Sequence, residues 1–403
     1  MRAITIATGF VAIAGYLIIW IAAKALTPGE YVDFMVFWGL FFALTGLIDG
    51  LMQETTRGVT AETGHSPRTE KAQPFRLAGR FGAVFAVIAL VSSPLWASQV
   101  SPDNEVWGIV LFTLGLASFA FQAILCGLIS ATSRWAHFAW LIAIDSGIRL
   151  ALALLAWWAG WGILAFLLIT VIGAATWGGF VLFSPSVRSL LPLFSDVSPS
   201  HFIFRSIKAM LASGANAVLI TGFPVLLRFT TDRSASAAIL AGTITAVTLT
   251  RAPLLVPLQR FQPALIVHFT KNRHHVLRTT MRPMAAIVII AAIGGVAAWL
   301  IGQPIMALLF DEDYLVSPVA LGLLTLASGG TALLMVTGSA ALAAERHNLY
   351  WLGWAAATAA AIMILFVDAS PDLRAVLALG LGPLTGVAIH LGVLAVGVRN
   401  KLP

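Results

Sequence analysis

Of 403 residues, 59% are hydrophobic and only 10% are charged, whereas soluble domains carry roughly 25% charged residues, so the composition excludes a water-soluble globule. Twenty-four Lys and Arg against seventeen Asp and Glu leave a formal charge of +7; in so apolar a chain, anionic lipid headgroups rather than nucleic acid account for that excess. One cysteine, Cys126, excludes an intrachain disulfide and a Cys-based metal site.

Apolar runs long enough to cross a ~30 Å hydrocarbon core at ~1.5 Å per residue recur from end to end. The first follows Arg2, carries Tyr16 and Trp20 and lacks a small-residue cleavage site, which predicts a span rather than a signal peptide. Spans are predicted near 3–24, 31–53, 79–99, 106–131, 136–159 and 161–183, then near 206–228, 236–259, 284–303, 317–344, 348–367 and 374–397. The stretches between them leave no room for an ATPase domain. The longest polar break, Ser184 to Phe204, holds Pro185, Pro192 and Pro199. It predicts an all-α polytopic membrane protein with an N-terminal six-helix lobe over 1–184, a cytoplasmic linker over 185–205 and a C-terminal six-helix lobe over 206–403, around a central cavity near the bilayer midplane.

Basic residues set the orientation, because they resist translocation. With the N-terminus inside, the cytoplasmic segments hold eighteen Lys and Arg and the outer segments four, Lys24, Arg228, Arg233 and Arg374. Both termini are therefore expected in the cytoplasm.

Two arginines, Arg149 in the fifth span and Arg251 in the eighth, stand within spans. A guanidinium at that depth costs at least ~2.5–3.5 kcal/mol on insertion scales, so it faces a cavity or a partner. Asp145, four residues before Arg149, would make a purely structural pair; Arg251 has only Thr248 and Thr250 as polar neighbours within a turn. Pro253, Pro257 and Pro263 are expected to bend or interrupt the eighth span toward its inner end. Asp49, Gln53 and Arg57 share one face of the second span at spacing i, i+4, i+8, either at a cavity mouth or as an interfacial pair. Arg205, Lys208 and Asn216 lie in one helical quadrant of the seventh, where the alternatives are anion binding and lipid anchoring.

His390 and Asp33 are titratable groups within spans; a histidine there also needs only one helix–helix hydrogen bond to be satisfied. Lys271, Arg273, His274, His275 and Arg278 read as a solvated cytoplasmic loop, and Asp311, Glu312 and Asp313 as an outer loop cap on the ninth span. No P-loop, GxSxG, HExxH or paired-carboxylate pattern facing a common cleft is present, so neither an enzyme activity, a metal site nor a cofactor is expected.

Three segments carry a family resemblance. LTPGEYVDFMVFWGLFFALTGLIDGLMQETTR (Leu26 to Arg57) resembles the opening of Wzx-type polysaccharide flippases of the multidrug/oligosaccharidyl-lipid/polysaccharide exporter superfamily. TLTRAPLLVPLQRFQPAL (Thr248 to Leu265) is similar to that superfamily's eighth span, and LLFDEDYLVSPVALGLLTLASGG (Leu308 to Gly330) to its outer loop into the tenth.

The resemblance implies two lobes that alternate access around a cavity whose basic residues meet a lipid-linked pyrophosphate, in a bacterial cytoplasmic membrane. On that basis Arg251, Arg149, Arg57, Lys208 and Asn216 are candidate phosphate ligands, since arginine forks two N–H groups onto phosphate oxygens while staying charged. Asp145, Asp49 and Asp33 are candidate coupling or neutralising acids. The expected partners are a lipid-linked saccharide, membrane lipids and a glycosyltransferase or polymerase of the same pathway. A drug or metabolite antiporter of the same fold, and a membrane scaffold that transports nothing, are the alternatives.

Overall fold

The computed structural model describes residues 2–62, 71–232, 236–271 and 275–399, and among these it holds fifteen α-helices and no strand. In order they are α1 (Arg2–Ala25), α2 (Pro28–Thr60), α3 (Pro74–Val100), α4 (Glu105–Ala131), α5 (Trp135–Trp158), α6 (Ile163–Ile172), α7 (Thr176–Phe183), α8 (Pro185–Arg188), α9 (Pro199–Ile220), α10 (Phe223–Phe229), α11 (Ala237–Lys271), α12 (Val276–Leu309), α13 (Pro318–Ala343), α14 (His347–Leu365) and α15 (Pro371–Arg399). Twelve helical stretches among the described residues are long and apolar enough to cross a membrane, α6 and α7 together making the sixth. The protein is a multi-pass, all-α membrane protein.

Local chemistry starts and stops these helices. The Thr27-Pro-Gly-Glu30 turn is a capping box: the Thr27 hydroxyl oxygen accepts from the Glu30 amide at 3.4 Å, and the Glu30 carboxylate accepts from the Thr27 amide at 3.0 Å. Pro28 sits where no amide hydrogen is needed. Pro318 does the same for α13 behind Ser317, whose hydroxyl accepts from the Ala320 amide at 3.2 Å. At the C-termini, Ser133, Gly160 and Glu345 adopt left-handed φ of 54°, 67° and 61°. Each is followed by an amide that bonds back five residues, as Trp161 N–H does to the Ala156 carbonyl at 2.8 Å.

Two compact units divide the chain, Met1–Val225 and Leu226–Pro403. That boundary falls one span later than the polar break at 184–205, because α9 packs along α2 within the first unit. Small residues allow the approach: a Cβ on Gly50 would collide with the backbone of Ala209 and Met210. The segment expected as a linker is folded into this unit. Ser195 N–H donates to the Ala72 carbonyl (2.8 Å), Ala72 N–H to that of Val197 (2.7 Å) and Asp196 N–H to that of Gly58 (3.0 Å). The seventh span consequently starts at Pro199 rather than 206 and stops at Ile220; a turn at Gly222, with Pro224 behind it, restarts the chain as α10.

α2 and α4 form the buried centre of the first unit, whereas α1, α3 and α5 expose most of their surface. The sixth span is broken by a 3-10 turn over Gly173–Ala175, which hydropathy did not foretell. In the second unit α13 is the hub, touching α11, α12, α14 and α15, and 72% of its apolar stretch is buried against 17% for α12. The expected interruption of the eighth span is absent: α11 runs unbroken from Ala237 to Lys271. Pro253 and Pro257 both lie on its exposed side, so donors are lost along one side while the rest of the ladder continues.

Candidate functional site

The polar interior of the first unit is built by α2, α4, α5 and the break in the sixth span. Arg149 is buried, and its Nη2 lies 3.0 Å from Oδ1 of Asp145, one turn earlier on α5. The Asp145 carboxylate also accepts from Gln122 Nε2 on α4 at 3.5 Å, and Gln122 Oε1 accepts from the Thr176 hydroxyl at 2.9 Å. The Arg149 guanidinium stands over the Phe42 ring, 5.0 Å from its centroid, a cation–π contact. Gly173, where the 3-10 turn begins, has no room for a side chain: a Cβ there would collide with Asp145 Oδ1 and Arg149 Nε. A backbone without a side chain leaves the room this ion pair occupies. The i, i+4 spacing foretold the pair; Gln122 and Thr176 come from other helices and gave no signal in sequence.

At the N-terminal-lobe end where α2 finishes, Arg57 is clamped twice. Its Nε and Nη2 bond to Glu54 at 2.8 and 2.6 Å, and its Nη1 and Nη2 fork onto the Asp196 carboxylate, both at 3.0 Å. Arg205 adds a weaker contact to Asp196 at 3.6 Å. Partial burial pushes the Asp196 carboxyl up, but Arg57, the Ser195 hydroxyl and Arg205 together outweigh it and hold it below the ordinary carboxylate range. Gln53, read on the same stripe, turns instead to the Ser213 hydroxyl of α9 at 2.9 Å, and Asp49 is half-buried one turn before it. Glu54 lies at i−3 from Arg57, so its role was visible in spacing; that of Asp196 was not.

On α9, Lys208 is exposed with its ammonium 4.4 Å from the Phe204 ring centroid, and Asn216 is half-buried. Asp33 is half-buried on α2. The second unit carries Arg251 at 5% exposure in α11. Its threonine neighbours bond within their own helix, Thr248 to the Ile244 carbonyl at 2.8 Å and Thr250 to that of Ala246 at 2.7 Å. Arg374, read from sequence as an outer-loop residue, is also buried, and binds dipoles: the carbonyls of Thr230 (2.7 Å) and Leu365 (3.0 Å) and the Thr231 hydroxyl (3.0 Å). Carbonyls at helix C-termini carry partial negative charge.

His390 is fully buried and bonded on both nitrogens, to the Thr337 hydroxyl at 3.0 Å and the Leu349 carbonyl at 3.1 Å, as the helix–helix reading expected. The acidic trio Asp311–Asp313 lies in and just before a 3-10 turn after α12, where buried Tyr314 packs against α11. Of the expected cytoplasmic loop, Arg273 and His274 lie outside the described residues.

No family model matches the chain. Its fold is that of transporters of the MOP (multidrug/oligosaccharidyl-lipid/polysaccharide) superfamily. A multidrug resistance MATE family transporter in an inward-facing conformation superposes with a TM-score of 0.76 over 97% of this chain and 96% of that one, at 13% identity. The lipid II flippase MurJ, inward closed, gives 0.73 over 98% and 88%, again at 13% identity. A MOP superfamily transporter from Pyrococcus furiosus gives 0.62 over 99% and 96%, at 13% identity.

Within this fold, the chain belongs to the family of the uncharacterized proteins Rv3630 and Rv1510 of Mycobacterium tuberculosis. It is 37% identical to the first over 392 residues and 38% identical to the second over 390, in both cases across 96% of this chain and 90% of the relative.

Proposed function

We propose that the protein is a flippase that carries a polyprenyl-(pyro)phosphate-linked saccharide from the cytoplasmic to the outer leaflet of a bacterial cytoplasmic membrane, by alternating access, for cell-envelope polysaccharide synthesis. The observation that carries this reading is Arg251: a permanently charged guanidinium, 5% exposed, within a span of a MOP-type fold. Holding that charge at membrane depth costs at least ~2.5–3.5 kcal/mol on insertion scales, and a phosphate offers both opposite charge and a geometry that a guanidinium grips with two N–H groups. Arg251 is the residue on which the reading depends; in the first unit Arg149 and Arg57 hold carboxylates, and Lys208 and Asn216 are further candidate contacts for the headgroup.

Reconstitution tests it. Proteoliposomes containing a fluorescent short-chain polyprenyl-pyrophosphate sugar are expected to expose the probe to an impermeant quencher with time. Arg251→Ala should slow this by about tenfold or more, for the loss of a charge-assisted bond of ~1.5–3 kcal/mol, and Arg251→Lys should retain an intermediate rate. No translocation under any imposed gradient, or an Arg251→Ala rate equal to the wild type, overturns the proposal.

The likeness to a MATE transporter favours an ion-coupled drug or metabolite antiporter as the second reading. It requires an acid that exchanges protons or cations, for which Asp33, Asp49 and Asp145 are the candidates. Uptake of an organic cation that collapses in Asp33→Asn or Asp49→Asn, with no lipid translocation, would select it.

A further inference from the structure

A cavity of about 400 Å³ opens in the first unit between the segment before α3, the first turns of α3 and the folded loop ahead of α9. Lys71, Gln73, Arg76 and Arg80 give it its polar wall, Leu77 and Phe194 its apolar one. The walls are fixed. Backbone bonds tie Ala72 to Ser195 and Val197, Gln73 Nε2 donates to the Leu191 carbonyl at 3.1 Å, and the neighbouring Asp196 is forked by Arg57.

The charges in this cavity are unbalanced. Lys71 is buried and its ammonium is bonded to the Glu62 carboxylate, so that pair is neutral. Arg76 and Arg80 are exposed and, among the described residues, neither has a carboxylate within 4.0 Å. One turn apart, they present two guanidiniums side by side on one face of α3. The same face continues along the helix as Val84, Val87, Ile88, Val91 and Leu95, at 53%, 57%, 57%, 76% and 78% exposure. A stripe of exposed aliphatic side chains on a span meets lipid chains. Two cations therefore stand where a hydrocarbon-facing stripe reaches the water boundary, above a preformed cavity of about the volume ligand pockets show.

We propose that this cavity binds the phosphate headgroup of a membrane lipid, with Arg76 and Arg80 on the phosphate oxygens, Gln73 at its side and the lipid chain along the Val84–Leu95 stripe. The site is separate from Arg251 and does not depend on the transport reading. Its occupant is an amphiphile rather than a soluble phosphate, because only an amphiphile uses both the cations and the stripe.

The test is lipid retention by the full-length protein, measured by native mass spectrometry after purification with phosphatidic acid or with phosphatidylcholine. Wild type is expected to keep phosphatidic acid preferentially. In Arg76→Gln/Arg80→Gln its apparent affinity should fall roughly thirtyfold, from the surface contribution of two basic residues, while Arg76→Lys/Arg80→Lys retains most of it and Arg278→Gln, exposed in the second unit, leaves it unchanged. Equal retention by the glutamine variant overturns the site. Displacement of the lipid by glycerol 3-phosphate or inorganic phosphate at equal concentration overturns its assignment to a lipid, in favour of a soluble phosphate. A thermal midpoint shared by the glutamine and lysine variants shows that any loss is one of binding and not of fold.

Discussion

Removing one member of the Asp145–Arg149 pair should cost more than removing both. The two groups are 3.0 Å apart with side-chain exposures of 15% and 6%, and at an effective dielectric of about 20 their gross attraction is about 5.5 kcal/mol. Much of that attraction is offset by desolvation, but the offset remains when a partner is deleted, so a broken buried pair typically costs ~3–5 kcal/mol. Residual exposure of Asp145 places the expectation for Asp145→Asn at the lower end, ~3 kcal/mol. Applied to a unit of about 225 residues, that amounts to a midpoint drop of about 6–12 °C.

Arg149→Met should cost a similar amount, and Asp145→Asn/Arg149→Met less than either alone, because no uncompensated charge is left. Thermal unfolding of the four proteins in one detergent, followed by near-ultraviolet circular dichroism, completes the cycle. Two small and additive single effects would refute the reasoning.

Ser133 holds a left-handed φ of 54° at an exposed helix end; Ser133→Gly should stabilise by up to ~1 kcal/mol, since glycine pays no Cβ penalty there, and the thermal midpoint reads it. Asp196 has its carboxyl held below the ordinary range, so its contribution is complete above the unfolded value, near pH 4, and is lost as pH falls through the folded one. The midpoint difference between wild type and Asp196→Asn should thus be constant above about pH 5 and shrink in stronger acid. Arg374→Lys keeps the charge but loses the planar fork onto Thr230, Thr231 and Leu365; ~1–3 kcal/mol of stability should go with it, whereas an unchanged midpoint would mean those dipoles do not hold the helix ends.

Much of the fold was legible because lipid imposes one requirement on every span. Backbone groups must bond within their own helix and side chains must be apolar for about twenty residues; twelve stretches met that test in the amino-acid order and twelve helical stretches meet it among the described residues. The Asp145–Arg149 ion pair was legible for the same reason of proximity, its members lying four residues apart. Proline was the less dependable guide. Pro253 and Pro257, expected to bend or interrupt the eighth span, lie in a helix without interruption, whereas the sixth span carries a 3-10 turn from Gly173, beside a buried ion pair on another helix.

By itself, then, the sequence determined that the chain is a twelve-span membrane protein with arginines at membrane depth, since hydropathy and charge are properties of single residues and of neighbours within a turn. Only the tertiary structure decided that Arg57 is claimed by Asp196, that Arg76 and Arg80 front a cavity walled by a loop more than a hundred residues away, and that the seventh span lies along α2. Those pairings join segments that hydropathy leaves independent, and they form only where small residues such as Gly50 let two backbones meet and bring polar groups out of water together.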